Sequence, residues 1–306
     1  MEKIDLSIII VSFNTKELLR NCIESVIKNT EKVKYEIIVV DNASKDGSTE
    51  LVNGFSKINR FKLIENKTNM GFGHANNQGM KECSGKYILL LNSDTLIKNN
   101  AIEKMISWME LNPKVGVASC ALLNNDGSIQ GTGGYFPSLI RVFSWMTIQD
   151  IPFIDNLIKP FHPMRSKSFR KGDAFFKEEK ELDWVTGAFF LIRRKVIDKV
   201  GYFDEDYFMY TEEVDYCYRI KMAGWKIYYV PTPSVIHLGG ASGIKGDNVL
   251  KEFNGIKLFY KKHYPSWQYP LLRLFLKIGA LGRVLVFGLI EGGVSAKIYA
   301  KAFREA

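Results

Sequence analysis

Apolar stretches rich in β-branched residues alternate along this chain with stretches of helical spacing, which predicts an α/β fold with a mostly parallel central sheet flanked by helices. Two further observations agree. Runs such as Ile88-Leu89-Leu90-Leu91 carry no polar side chain, as strands covered on both faces require. The same runs end on oxygen-bearing residues, Asn92-Ser93-Asp94 here and Asp41 after Tyr35 to Val40, at the carboxyl edge where open α/β sheets bind ligands.

Taken in order, Leu6 to Phe13 reads as a strand and Lys16 to Asn29 as a helix, with Leu18, Leu19, Cys22 and Val26 on one face. A second strand, Tyr35 to Val40, leads into a polar loop, and Ser48 or Thr49 can start a helix holding Leu51, Val52 and Phe55. Phe61 to Glu65 is a strand, His74 to Cys83 a helix, Ile88 to Leu91 a strand. Ala101 to Leu111 is a helix on the series Ile102, Met105, Ile106 and Met109, and Val115 to Cys120 a strand. Gly71-Phe72-Gly73 lacks the third glycine of a dinucleotide loop and follows too late a strand for one.

After the turn Asn124-Asn125-Asp126-Gly127, residues 131–180 lose periodicity, with Gly and Pro breaks and a basic stretch from Arg165 to Lys171, and read as a functional loop. Order resumes at Trp184 to Ile192. Thr211 as N-cap and Gly224 past the C-terminus bound a helix of about 12 residues. Glu212 and Glu213 fall in its first turn, where the macrodipole favours their anions and lowers their pKa; Asp215 and Arg219 are spaced to pair. Trp225 to Val230 and Val235 to His237 close the pattern.

Hydrophobic residues make up 46% and charged residues 25% of the 306, as in a soluble globular protein. Four scattered cysteines without zinc spacing, and no basic, apolar leader before Leu6, predict reduced thiols and a cytoplasmic catalytic part. Residues 245–306 hold eleven Lys and Arg against four acids, so +7 of the total +9 lies there. With no nucleic-acid motif, that asymmetry points to an anionic surface such as the inner face of the cell membrane. The chain therefore divides into a catalytic part, 1–244, and a basic extension, 245–306. Within the extension, Tyr269 to Gly293 is apolar, but its longest charge-free stretch after Lys277 is seven residues, against about 20 for a spanning helix. As one helix it confines its charges to an arc of about 120°, which suits a membrane interface, packing on the catalytic part, or a homo-oligomer.

Asp94 at a strand end suits a hard divalent cation, Mg²⁺ or Mn²⁺, held against a diphosphate, although an Asp there also caps helices. His237, ahead of Gly239, Gly240 and Ser242, either completes that site or is structural. An anionic carboxylate on a cleft, as Glu213 offers, is what a base for a sugar hydroxyl requires.

Seven segments then carry a resemblance: Ile9-Ile10-Val11-Ser12-Phe13-Asn14, Val39 to Ser48, Asn69-Met70-Gly71-Phe72-Gly73, Leu90-Leu91-Asn92-Ser93-Asp94, Thr186-Gly187-Ala188, Glu212-Glu213-Val214-Asp215 and His237-Leu238-Gly239-Gly240. In these the chain resembles the family 2 glycosyltransferases of the GT-A fold, in the branch with many bacterial rhamnosyltransferases. The resemblance implies an inverting, metal-dependent transferase using dTDP-rhamnose or a UDP-sugar and a glycan or lipid-linked acceptor of the cell surface. It places Ser12 and Asn14 along the nucleotide pocket and Asp41 against the base, with Asn42, Gly71 and Gly187 in the same donor-binding set. Asn92-Ser93-Asp94 stands for the Asp-x-Asp motif, with Asn in its first place, so Asp94 is the metal ligand, His237 the late metal or phosphate contact, and Asn92 and Ser93 support the donor. Glu213 stands where many members carry an Asp base, with Glu212 as substitute; Trp184 and Asp215 fall to the acceptor side. A same-fold transferase acting on proteins or small molecules, or a non-catalytic sugar-binding module, would share these features.

Overall fold

The computed structural model describes residues 4–55, 61–149, 154–163, 174–239, 247–290 and 293–306. The first half runs β1 (Leu6–Ser12), α1 (Lys16–Lys28), β2 (Tyr35–Asp41), α2 (Ser48–Phe55), β3 (Phe61–Glu65), α3 (Phe72–Glu82), β4 (Tyr87–Asn92), β5 (Thr95–Leu96), α4 (Ala101–Leu111) and β6 (Val115–Leu123). Then follow β7 (Gly133–Gly134), α5 (Leu139–Met146), α6 (Ile154–Leu157), β8 (Lys180–Leu182), β9 (Trp184–Val185), β10 (Phe189–Arg193), α7 (Arg194–Val200), α8 (Glu212–Met222) and β11 (Lys226–His237). The last segment forms α9 (Asp247–His263), α10 (Gln268–Ile290) and α11 (Gly293–Glu305).

Among the described residues the main sheet has nine strands, in the order β3-β2-β1-β4-β10-β6-β11-β5, with β8 beside β11. β1 to β4 are mutually parallel, as are β6 and β11, while β10 runs antiparallel between β4 and β6. Side chains alternate across each strand, so Ile8, Ile10, Leu89 and Leu91 pack with α1 and α4 in one core. Ile9, Ile38 and Leu90 pack on the other face, with α3, α8 and the C-terminal helices. The uninterrupted apolar runs are thus explained by burial on both faces.

α2 begins at Ser48, as expected, and Asp46 Oδ1 accepts from Ser48 N and Oγ at 3.1 and 2.6 Å. Some expectations are corrected. α3 starts at Phe72 rather than His74, and the apolar run from Trp184 to Ile192 is two strands divided by the turn 186–188. The described part of 131–180 is not structureless, since it carries β7, α5, α6 and β8; the basic stretch 165–171 lies outside the described residues, as do Gly240 and Ser242. Residues 245–306 share the catalytic core: Phe253, Ile256, Leu272, Leu276 and Ala302 are buried in the same cluster as Leu90 and Tyr216. The four cysteines are buried and unpaired.

Candidate active site

β5 pairs with the end of β11, setting Thr95 opposite His237, and Leu238 N donates to Asp94 O at 3.0 Å. This brings Asp94 Oδ1 within 3.2 Å of His237 Nε2. Across the ring, His237 Nδ1 lies 2.8 Å from Gln130 Oε1, and the Gln130 amide is oriented by donating to His237 O at 2.5 Å and Asn124 Oδ1 at 2.7 Å. An amide oxygen only accepts, so Nδ1 carries the proton and Nε2 turns either a lone pair or a second proton to the carboxylate. A lone pair against a carboxylate oxygen is repulsive unless a cation lies between them. One carboxylate and one imidazole with its far nitrogen hydrogen-bonded form a donor set that fits Mn²⁺ or Mg²⁺. Among the described residues no group of three or more His, Cys, Asp or Glu is placed to hold a metal ion. Asn92 Nδ2 stands 3.3 Å from the same Nε2.

Asp41 is 1% exposed; its Oδ1 accepts from Ser44 N at 2.8 Å, and its buried Oδ2 has no partner, an acceptor open to a ligand donor. Asn14 is exposed, holds the same loop by accepting from Lys45 N at 2.8 Å, and donates its own N–H to Ser44 Oγ. Ser12 faces inward. Its side chain is fully buried, and its Oγ is 3.1 Å from Thr15 Oγ1, itself 3.0 Å from Ser93 Oγ, so the three hydroxyls pin the β1 loop to the end of β4. Asn42 is buried and donates to Gly71 O at 3.2 Å. Gly71, at φ +88°, lies so near Phe208 that a Cβ would sit 2.4 Å from its carbonyl oxygen, and a Cβ on Gly187 would meet Phe72 Cε1 at 2.9 Å. Both glycines permit close packing of the walls.

The wall that the family resemblance assigns to the acceptor starts with α8. Thr211 precedes it in the left-handed region, φ +72°, and makes no side-chain cap. The first turn is buried instead of solvated: Glu212 is 3% exposed, and Glu212 Oε2 and Glu213 Oε2 lack partners. Burial pushes Glu213 up to about 7, the charges of His162 and Glu252 acting in opposite senses. Burial, then the charge of Glu213, raises Glu212 well above the carboxylate range. The lowered values expected from the macrodipole are therefore reversed, because a dipole contribution of about 0.3–1 kcal/mol is smaller than the cost of removing a carboxylate from water. His162 Nε2 pairs with Glu252 Oε1 at 2.7 Å, and its ring packs on Trp184 at 5.2 Å between centroids. Trp184 is nearly buried, with an unpartnered Nε1.

Asp215 is not on this wall. It is 1% exposed and bonded to Arg219 Nε at 2.8 Å and His263 Nε2 at 2.6 Å. Burial acts to raise its pKa, but these two partners outweigh it and hold the carboxyl below its usual range. Gln130, His162, Glu252 and His263 carried no sequence signal, since each acts through a partner remote along the chain.

Over residues 7–201 the sequence matches the family described as Glycosyl transferase family 2. It is 26% identical over 245 residues to N-acetylglucosaminyl-diphospho-decaprenol L-rhamnosyltransferase of Mycobacterium tuberculosis, covering 76% of this chain and 75% of that one. It is 28% identical over 229 residues to poly-beta-1,6-N-acetyl-D-glucosamine synthase of Staphylococcus epidermidis, covering 74% of this chain and 48% of the synthase, about half its length. The fold superposes on the mannosyltransferase PcManGT of Pyrobaculum calidifontis, solved with GDP-Man and Mn²⁺, at a TM-score of 0.56 and 15% identity, over 99% of this chain and 74% of that one. A sheet that gathers Asp41, Asn92 and Asp94 at one edge, in a chain matched across those positions, makes this a glycosyltransferase of the GT-A fold that belongs to family 2, in the branch resembling the rhamnosyltransferases.

Proposed function

We propose that the enzyme transfers rhamnose or a hexose from dTDP-rhamnose or a UDP-sugar, with inversion, to a lipid-linked or polysaccharide acceptor in cell-surface glycan synthesis. The observation that carries this reading is the first turn of α8, where Glu213 presents a buried, unpartnered carboxylate oxygen with a pKa near 7. A base poised near neutral pH suits removal of a proton from a sugar hydroxyl. As that oxygen attacks the anomeric carbon, Glu213 takes its proton and the bond from that carbon to the donor phosphate oxygen breaks, the electron pair leaving with the nucleoside diphosphate. Asp94 and His237 would hold Mg²⁺ or Mn²⁺, which supplies positive charge for the leaving diphosphate. Asp41 offers its open oxygen to the nucleotide base, and Trp184 and His162 shape the acceptor side. The lipid-linked acceptor is supported by the mycobacterial relative, named for a decaprenol-linked sugar, and work at the inner face of the cell membrane would follow from such a substrate.

Glu213→Gln keeps shape and removes the base, so transfer should fall by about 10²–10⁴-fold with donor affinity retained. Steady-state transfer and donor titration measure both. If Glu212→Gln is inactive and Glu213→Gln is not, the base lies one residue earlier.

A further inference from the structure

α10 has its circumference divided among neighbours. Leu272, Leu276 and Ala280 face the core, with no exposed surface. One flank meets α5, where Phe275 packs on Phe143 at 5.1 Å and Arg283 donates to Met146 O at 3.0 Å and Trp145 O at 3.1 Å. The other flank meets α11: Arg273 Nε donates to Ala306 O at 2.6 Å, and Lys277 Nζ lies over the Phe303 ring at 5.8 Å. The remaining face points outward, where a helix on a globular protein is ordinarily polar. Here it carries Leu271, Leu274, Ile278, Leu281 and Leu285, all 38–62% exposed and spaced by three and four residues into one stripe. No charged residue interrupts the stripe, because Arg273, Lys277 and Arg283 turn to the flanks.

Two occupants suit such a stripe, a second copy of the chain or a lipid surface. Charge distinguishes them. Residues 245–306 carry +7 of the net +9, so joining two copies along α10 brings like charges together, whereas an anionic bilayer meets the opposite sign. Among the described residues no helix is long and apolar enough to cross a membrane, so on a bilayer α10 would lie in the plane of the interface.

We propose that the outer face of α10, with Arg273 and Lys277 on its flank, is a docking surface for an anionic phospholipid bilayer. The stripe enters the acyl boundary while Arg273 and Lys277 beside it meet phosphate headgroups. This deepens the reading of a lipid-linked acceptor, on which it rests for its purpose, but its test needs neither donor nor acceptor. A failure to bind vesicles therefore leaves the transferase assignment standing, and a failure of transfer leaves the docking surface standing.

The test is flotation of the full chain with vesicles of phosphatidylcholine containing about 30 mol% phosphatidylglycerol, beside Leu274→Glu/Leu281→Glu, which alters exposed positions only. Wild type should float at low salt, less in about 0.5 M NaCl, and the double variant at least about tenfold less, with an unchanged melting curve. Sedimentation should show a monomer in both. Wild type that ignores the vesicles at low salt, or a variant that floats equally, overturns the proposal. So does a wild-type dimer that the double variant dissolves, which would make the stripe a contact between copies. A variant that unfolds is replaced by Ile278→Gln, for which the same two outcomes decide.

Discussion

Gln130 accepts the Nδ1 proton of His237 and so holds the ring with Nε2 toward Asp94. Asp94 and His237 were legible because each is a polar residue where an apolar strand ends; Gln130 was not, since 107 residues separate it from the ring it orients. Asp94→Ala should remove the Mn²⁺-dependent increment in donor affinity while leaving the melting curve intact, because the side chain lies at a strand end and outside both apolar cores. Gln130→Ala should weaken metal-dependent donor binding by about 10–100-fold, the usual cost of losing the partner that orients a ligating imidazole. Calorimetric titration of donor with and without Mn²⁺ measures both. Unchanged affinity in Asp94→Ala would sink the metal assignment.

At the scale of the element, α8 was legible in extent and illegible in environment. Helical spacing and Gly224 located it within a residue or two, but nothing local shows that α9 and the segment around His162 cover its first turn. The consequence is a pH dependence of opposite sign to an ordinary exposed helix start. With Glu213 raised from 4.5 to about 7, the folded chain binds more protons than the unfolded chain between those values. Stability from this group is thus complete below pH 4.5 and lost as pH rises through about 7. Glu212, also raised, adds to the loss in the same direction. Glu213→Gln should therefore gain stability over wild type at pH 8 by on the order of 1–3 kcal/mol and gain little at pH 4. Urea unfolding across that range tests it, and a pH-independent difference would show that the carboxyl is solvated.

Across the whole molecule, the sequence legibly separates a neutral catalytic part from a basic extension, yet the packing does not follow that division. Charge is a surface property, whereas the core is continuous through Phe253, Leu272 and Leu276. The charge pattern suggests that a chain shortened by Tyr269 to Ala306 keeps every motif and loses only its lipid-linked substrate. The structure gives a different expectation. Each fully buried leucine of α10 contributes about 1.5–3 kcal/mol, and a domain holds only about 5–15 kcal/mol in total. That deletion should lower the melting temperature steeply and abolish transfer to soluble and lipid-linked acceptors alike. Circular dichroism melts read this out, and an unchanged melt would restore the view of a dispensable appendage. The antiparallel β10 also governs how the chain is made. β1 to β4 can assemble once residue 92 has left the ribosome, but β6 joins them only through β10, which emerges after residues 131–180. At about 5–20 residues per second, the apolar edge of β4 stays open during synthesis for several seconds, which makes that interval the step most exposed to misassembly with neighbouring nascent chains.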